Sequence, residues 1–238
     1  MREKIKSIQN EILNVLANKI NDFYLAGGTA LSLFYFNHRQ SDDLDFFTQE
    51  FSKKRIAEIT NEINLITKKN IELINENLSE IYVKVMVYSL EYDKDKFLKI
   101  DFIQDFFKLI KSLNNVNGIN ILSLEDIYLR KIYAISGFSK EIDGIGRKKF
   151  TGGRQEAKDL FDIYFLSYSF MGLADFIDKY CDQVLKEGLI RWYRTFDRTE
   201  MKIGLSEIKT DKTIEFRDID KHFAGEIDKI LTMEIDLS

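Results

Sequence analysis

Leu25-Ala26-Gly27-Gly28-Thr29-Ala30-Leu31, followed by Arg39-Gln40-Ser41-Asp42-Asp43-Leu44-Asp45-Phe46, is the stretch on which the reading of this chain turns. The glycine pair stands between an apolar strand-like run, Phe23-Tyr24-Leu25-Ala26, and an apolar helical run, Ala30-Leu31-Ser32-Leu33-Phe34. Without Cβ atoms, such a turn lets backbone N–H groups and a helix N-terminus come close to a phosphate. Thr29 adds a hydroxyl donor. A strand alternates its side chains, so Asp43 and Asp45 share one face while Leu44 and Phe46 enter the core behind them. Like charges held that close repel and resist ionisation together unless a cation neutralises them. Mg²⁺, which prefers oxygen ligands, is the candidate.

At these residues the chain resembles the nucleotidyltransferase superfamily related to DNA polymerase β, whose signature is a Gly-Gly or Gly-Ser turn and an Asp-x-Asp strand. The extended form, Gly-Gly-Thr-Ala-Leu with Arg-x-Ser-x-Asp-Leu-Asp-Phe, is similar more narrowly to the AbiEii/AbiGii type IV toxin family of bacterial toxin–antitoxin and phage-abortive systems. The resemblance implies a third carboxylate from a later strand. Phe97-Leu98-Lys99-Ile100-Asp101-Phe102-Ile103 offers Asp101 between apolar neighbours. It also implies a helix lysine, matched by Lys131, and a Lys/Arg-Asp-x-x-Asp helix, matched by Lys158-Asp159-Leu160-Phe161-Asp162. The match runs from about Phe23 to about Leu166. Thr29 departs from the Gly-Ser form common at the turn.

The expected fold is α/β: a nucleotidyltransferase-type mixed sheet with flanking helices over residues 1–115, then a helical bundle domain over 116–238 that carries Lys131 and the Lys158 helix. The expected chemistry is attack of an acceptor hydroxyl on the α-phosphate of an NTP, with pyrophosphate leaving. Asp43, Asp45 and Asp101 are the expected catalytic and metal-holding residues, with two Mg²⁺ ions. Gly27, Gly28, Thr29, Arg39, Ser41, Lys131, Lys158 and Asp159 are the expected nucleotide-binding set. The resemblance makes the 3′ end of a tRNA or other RNA, or a protein side chain, the expected acceptor, and a cognate antitoxin the expected partner. Two other readings stay open: an inactive nucleotide-pocket module acting through partner contacts, and an enzyme modifying an antibiotic hydroxyl.

Each feature also has a plain reading. Arg39 either fixes its loop by pairing with Asp42 or contacts the triphosphate, and Ser41 is also a natural turn cap. Lys131 borders the apolar stripe of Leu124, Ile127, Ile132 and Ile135, but solvated helix lysines are common. Asp159 and Asp162 lie one turn apart, within reach of Lys158 and Arg154.

With 238 residues, 45% of them hydrophobic, the chain can bury a substantial core. Its net charge of -4 and pI near 5.4 give no general attraction for nucleic acid, so an RNA contact needs a local basic patch. A single cysteine, Cys181, excludes an internal disulfide, and no run approaches the roughly 20 apolar residues of a membrane span. The charged N-terminal residues lack a signal-peptide core, which points to the cytoplasm. There is no proline where average usage predicts about 12, which fits an AT-rich bacterial genome.

Ile5, Ile8, Ile12, Val15, Leu16 and Ile20 recur at helical spacing, so an amphipathic helix is expected before the first strand. A helix over Lys53–Ile66, strands at Ile71–Ile74 and Ile81–Leu90, and the Asp101 strand complete the first domain. Ser123 and Asp126 form a capping pair ahead of the Lys131 helix. Gly137 to Gly153 holds five glycines and the run Arg147-Lys148-Lys149, which reads as a basic loop and, if the acceptor is RNA, as its electrostatic contact. Helices are expected over Arg154–Ser169, Leu173–Lys186 and Ile219–Ile235. With only His38 and His222, a histidine-rich zinc site is excluded. Phosphate-loop, dinucleotide and serine-hydrolase motifs are missing as well.

Overall fold

The computed structural model describes residues 2–142, 148–151 and 153–236, and the chain divides into two compact units, Met1–Ser123 and Leu124–Ser238. In the first unit, helix α1 (Arg2–Leu16) precedes a two-residue strand β1 (Tyr24–Leu25) and a helix α2 (Gly27–Ala30) that runs on as a π-helical stretch, Leu31–Tyr35. Then come β2 (Asp43–Thr48), α3 (Lys53–Thr67), β3 (Ile71–Asn77), β4 (Val85–Asp93), β5 (Lys96–Gln104) and the hairpin β6 (Asn114–Val116) and β7 (Ile119–Ile121). The seven strands form one mixed sheet in the order β3-β4-β5-β2-β1-β7-β6. Parallel pairing joins β2 to β5 and β1 to β7.

Strand alternation decides the two faces. Leu44, Phe46, Leu98, Ile100 and Phe102 are wholly buried, and the α1 and α3 stripes of Ile12, Leu16, Ile56, Ile59 and Ile63 are buried with them. Phe102 is the centre of this layer: it stacks on Phe46 (5.7 Å) and meets Phe23 (5.5 Å) and Tyr88 (5.9 Å) edge-on. Each such ring contributes roughly 2–3 kcal/mol by burial, and each pairing about 1 kcal/mol more. On the other face Asp43, Asp45 and Phe47 are only partly covered. Helix α3 starts at Ser52, whose hydroxyl accepts the Arg55 N–H, a cap worth about 1 kcal/mol.

Several boundaries differ from the sequence reading. Helix α1 stops at Leu16 because Asn18 takes a left-handed φ of 61° and donates its N–H to the Gly118 carbonyl (2.8 Å). Strand β4 begins at Val85, opposite Asn77, so Ile81, Tyr82 and Val83 lie beyond the last paired residues and are exposed. The β6–β7 hairpin belongs to the first unit, since Ile121 pairs with Leu25; the division therefore falls after Ser123, not after residue 115.

The second unit comprises α4 (Leu124–Ser136), the hairpin β8 (Phe138–Ile142) and β9 (Lys148–Thr151), α5 (Ala157–Ser169), α6 (Leu173–Tyr180), α7 (Gln183–Thr195), α8 (Arg198–Glu207) and α9 (Phe216–Asp236). Tyr128 of α4 stacks on Phe176 of α6 at 4.0 Å, both fully buried. The single helix expected over Leu173–Lys186 is two helices, because Asp182 accepts the Leu185 N–H and caps a fresh start. Where a basic loop was expected, Lys148 and Lys149 lie on a strand paired with Ile142 and Glu141; Arg147 lies outside the described residues. Ser167 and Glu226 accept the first N–H groups of α6, from Leu173 (3.0 Å) and Ala174 (2.8 Å), and Ser167 Oγ sits 2.7 Å from His222 Nε2. Among the described residues no single helix is long and apolar enough to cross a membrane.

Candidate nucleotide and metal site

The site is built on β2, β5 and the turn that opens α2. In the parallel β2–β5 register Asp45 stands directly opposite Asp101, and Asp43 opposite Lys99. Direct partners and every second residue share a face, so the three carboxylates and the Lys99 ammonium occupy one side of the sheet. Gly27 takes a φ of +67°, and a Cβ built there would lie 2.5 Å from Asp45 Oδ2. The carboxylate thus lies against bare backbone. Beside it, a Cβ at Gly28 would overlap the guanidinium of Arg39, a buried arginine that also donates to the Gln40 carbonyl (3.0 Å).

The loop between α2 and β2 is tied down from inside. Ser32 Oγ donates to the Arg39 carbonyl (2.5 Å), Gln40 donates to the Asp42 carboxylate, and Thr29 Oγ1 bonds to Ser41 Oγ (2.8 Å) and to the Asp43 carbonyl (2.5 Å). Gln9 of α1 donates its amide to the Ser41 carbonyl (2.9 Å) and the Asp43 carbonyl (3.1 Å). Thr29 is fully buried and its hydroxyl is committed to these bonds, so in this structure it fixes the start of the Asp strand to the turn. Ser41 has the same office.

Lys99 Nζ lies 2.6 Å from Asp101 Oδ2; the Asp101 side chain is 10% exposed and that of Lys99 46%. Burial works against the lysine's charge, but the hydrogen bond to Asp101 and the fields of Asp101, Asp43 and Asp45 outweigh it and raise its pKa above the usual lysine value. Among the described residues, no three His, Cys, Asp or Glu side chains are gathered closely enough to hold a metal ion. The oxygen donors of Asp43 and Asp45 suit one hard cation such as Mg²⁺.

In the second unit Lys131 Nζ lies 2.6 Å from Asp159 Oδ1 and 2.7 Å from Asp162 Oδ2, with both aspartates wholly buried. Arg154 Nε reaches Asp159 Oδ2 at 3.0 Å, and the Arg154 carbonyl accepts Trp192 Nε1–H. The motif lysine and the motif aspartates of α4 and α5 are therefore one ion cluster. Lys158 is not brought to it: it pairs with Glu156 at 2.9 Å and is half exposed.

Two residues of the first site escaped the sequence reading. Gln9 is a polar residue inside the Ile5, Ile8, Ile12 stripe, a departure from periodicity that flags a buried hydrogen-bonding task. Lys99 stands two residues before Asp101, and the same period of two that pairs Asp43 with Asp45 places it on the carboxylate face.

A solved structure of JHP933 from Helicobacter pylori aligns over 99% of this chain and 96% of its own at 18% identity and a TM-score of 0.61. A candidate nucleotidyltransferase from H. pylori aligns over 98% and 96% at 18% identity and a TM-score of 0.62. These likenesses show a shared fold. The uncharacterized protein aq_aa25 of Aquifex aeolicus (strain VF5) is 29% identical over 167 residues, covering 68% of this chain and 67% of its own. The family model "Nucleotidyl transferase AbiEii toxin, Type IV TA system" matches residues 12–236, and so takes in the glycine turn, the three-carboxylate face and the Lys131 cluster together. By that match the chain belongs to the AbiEii nucleotidyl transferase toxin family of type IV toxin–antitoxin systems.

Proposed function

We propose that this chain is a Mg²⁺-dependent nucleotidyltransferase that moves NMP from an NTP to an acceptor hydroxyl on RNA, the tRNA 3′ end first among them, or on a protein side chain. It acts in the cytoplasm as the toxin of a type IV pair, restrained by a cognate antitoxin. The observation that carries the reading is the registered face: Asp45 opposite Asp101, Asp43 beside them, and the Asp45 carboxylate packed on Gly27. Family membership supports it independently.

Asp43 and Asp45 would hold Mg²⁺, which when bound neutralises the triphosphate and stabilises charge on the transferring phosphoryl group. The bare backbone at Gly27 and Gly28 receives the β- and γ-phosphates, and the Arg39 guanidinium over Gly28 balances their charge. Gln9, Thr29 and Ser41 hold the Asp43 strand in place against that turn. Asp101 faces the acceptor side and orients its hydroxyl for in-line attack on the α-phosphate. Lys131, Lys158 and Asp159 enter the proposal as nucleotide-binding residues through the family resemblance alone.

The test is to incubate the full chain with each α-labelled NTP, Mg²⁺ and total cellular RNA and protein, and to resolve the label by size and nuclease or protease sensitivity. The expected result is label in a discrete macromolecular band, lost with Asp45→Asn. Label in no macromolecule with any NTP, from a folded chain, would overturn the proposal.

A further inference from the structure

We propose that Lys99 is a resident cation of the carboxylate face, standing at Asp101 where a second metal ion would otherwise bind, so that the site takes one divalent ion on the Asp43–Asp45 side. The inference rests on the nucleotidyl-transfer reading of this face. Three observations carry it. Lys99 is paired with Asp43 across the β2–β5 register and is two residues from Asp101, so strand geometry puts its side chain among the three carboxylates. Its ammonium is at 2.6 Å from Asp101 Oδ2, the distance of a strong charge-assisted hydrogen bond. And among the described residues no three His, Cys, Asp or Glu side chains are gathered so as to hold a metal ion.

The charge balance agrees. With Lys99 present, the face carries a formal charge of about −2, which a single divalent ion neutralises; without it the charge is about −3 and one such ion leaves a carboxylate uncompensated. A lysine held on a strand also costs the site nothing in ion concentration. Asp101 is then fixed for its part toward the acceptor whether or not metal is present, which makes Lys99 a positioning residue.

The test is a Mn²⁺ titration of the full chain without nucleotide, counting free Mn²⁺ by its electron paramagnetic resonance signal. Wild type is expected to bind one ion. Lys99→Met, which keeps the length and removes the charge, is expected to bind a second ion or to bind the first at least roughly ten-fold more tightly. Lys99→Arg, which restores the charge, is expected to return to the wild-type count. Lys99 is half exposed, so thermal melting of the variants should stay close to wild type and separates a folding defect from the effect sought. Two ions on the wild type, equal counts and affinities in wild type and Lys99→Met, or no ion on any variant would each overturn the proposal. The count requires no acceptor, so transfer with two ions refutes Lys99 alone, whereas one ion without transfer refutes only the enzymatic reading.

Discussion

Gly27→Ala should damage both the fold and the chemistry, by amounts the geometry lets one estimate. At a φ of +67° an L-residue pays roughly 1–2 kcal/mol for the left-handed conformation, offset by about 0.5 kcal/mol from a stiffer unfolded chain. The new Cβ would lie 2.5 Å from Asp45 Oδ2, so the carboxylate must retreat by about 0.9 Å to reach an ordinary contact. The net loss of stability should be about 1–2 kcal/mol, which for a chain of this size lowers Tm by roughly 3–7 °C. Displacing a reacting group by most of an ångström costs on the order of 100-fold in rate. Differential scanning calorimetry and initial rates of label transfer from the preferred NTP read the two effects separately. A variant melting within about 1 °C of wild type and transferring at the wild-type rate would refute the reasoning that the turn and Asp45 are in contact.

Lys131→Met removes a cation from two buried aspartates and should destabilise the chain by about 3–5 kcal/mol, read as a lower urea midpoint; an unchanged midpoint would show that Asp159 and Asp162 are compensated without it. Asp101→Asn should abolish transfer with NTP affinity preserved, whereas Asp43→Asn should lower that affinity; equal losses by calorimetry would reject the division between acceptor and triphosphate sides. Burial lowers the His222 pKa, Glu226 opposing and Lys229 adding to the effect, so below its unfolded value near 6.5 the unfolded chain binds the extra proton more readily. Stability should therefore rise with pH through that window and level off above it, and His222→Gln should flatten the rise; a variant that keeps the full slope between pH 5 and 7 would assign it to other groups.

The carboxylate face was legible because it is written in a two-residue period: Asp43 and Asp45 alternate with Leu44 and Phe46, and the apolar neighbours of Asp101 marked it as strand. The parallel β2–β5 pairing that sets Asp45 against Asp101 has no local signature, since 56 residues separate the two and strand partners are chosen by packing of the whole sheet. Turn chemistry predicted Gly27 to within a residue, yet the task of Thr29 was invisible because a hydroxyl that bonds to a carbonyl and one that meets a phosphate look alike in a sequence. Ile81, Tyr82 and Val83 misled for the opposite reason: their β-propensity is high, but no strand lies beside them. The break between α6 and α7 depended on Asp182, a single capping residue within an otherwise continuous apolar pattern.

The ties on the Asp43 carbonyl bear on the order in which the carboxylate face can be assembled. Gln9, Thr29 and Asp43 come from three different elements, and Asp101, which faces Asp45, belongs to a fourth, so the carboxylate face exists only after roughly a hundred residues have left the ribosome and closed into a sheet. A truncated or nascent chain holds the glycine turn and the Asp-x-Asp strand but lacks the β5 partner that lines them up. Loosening α1 withdraws Gln9 from the Ser41 and Asp43 carbonyls and leaves Thr29 and the β1 and β5 pairings to hold that strand. The arrangement of the carboxylate face is thereby tied to completed folding of the first unit, and a binder that gripped α1 away from the sheet would remove the Gln9 ties on the Ser41 and Asp43 carbonyls without touching a single carboxylate.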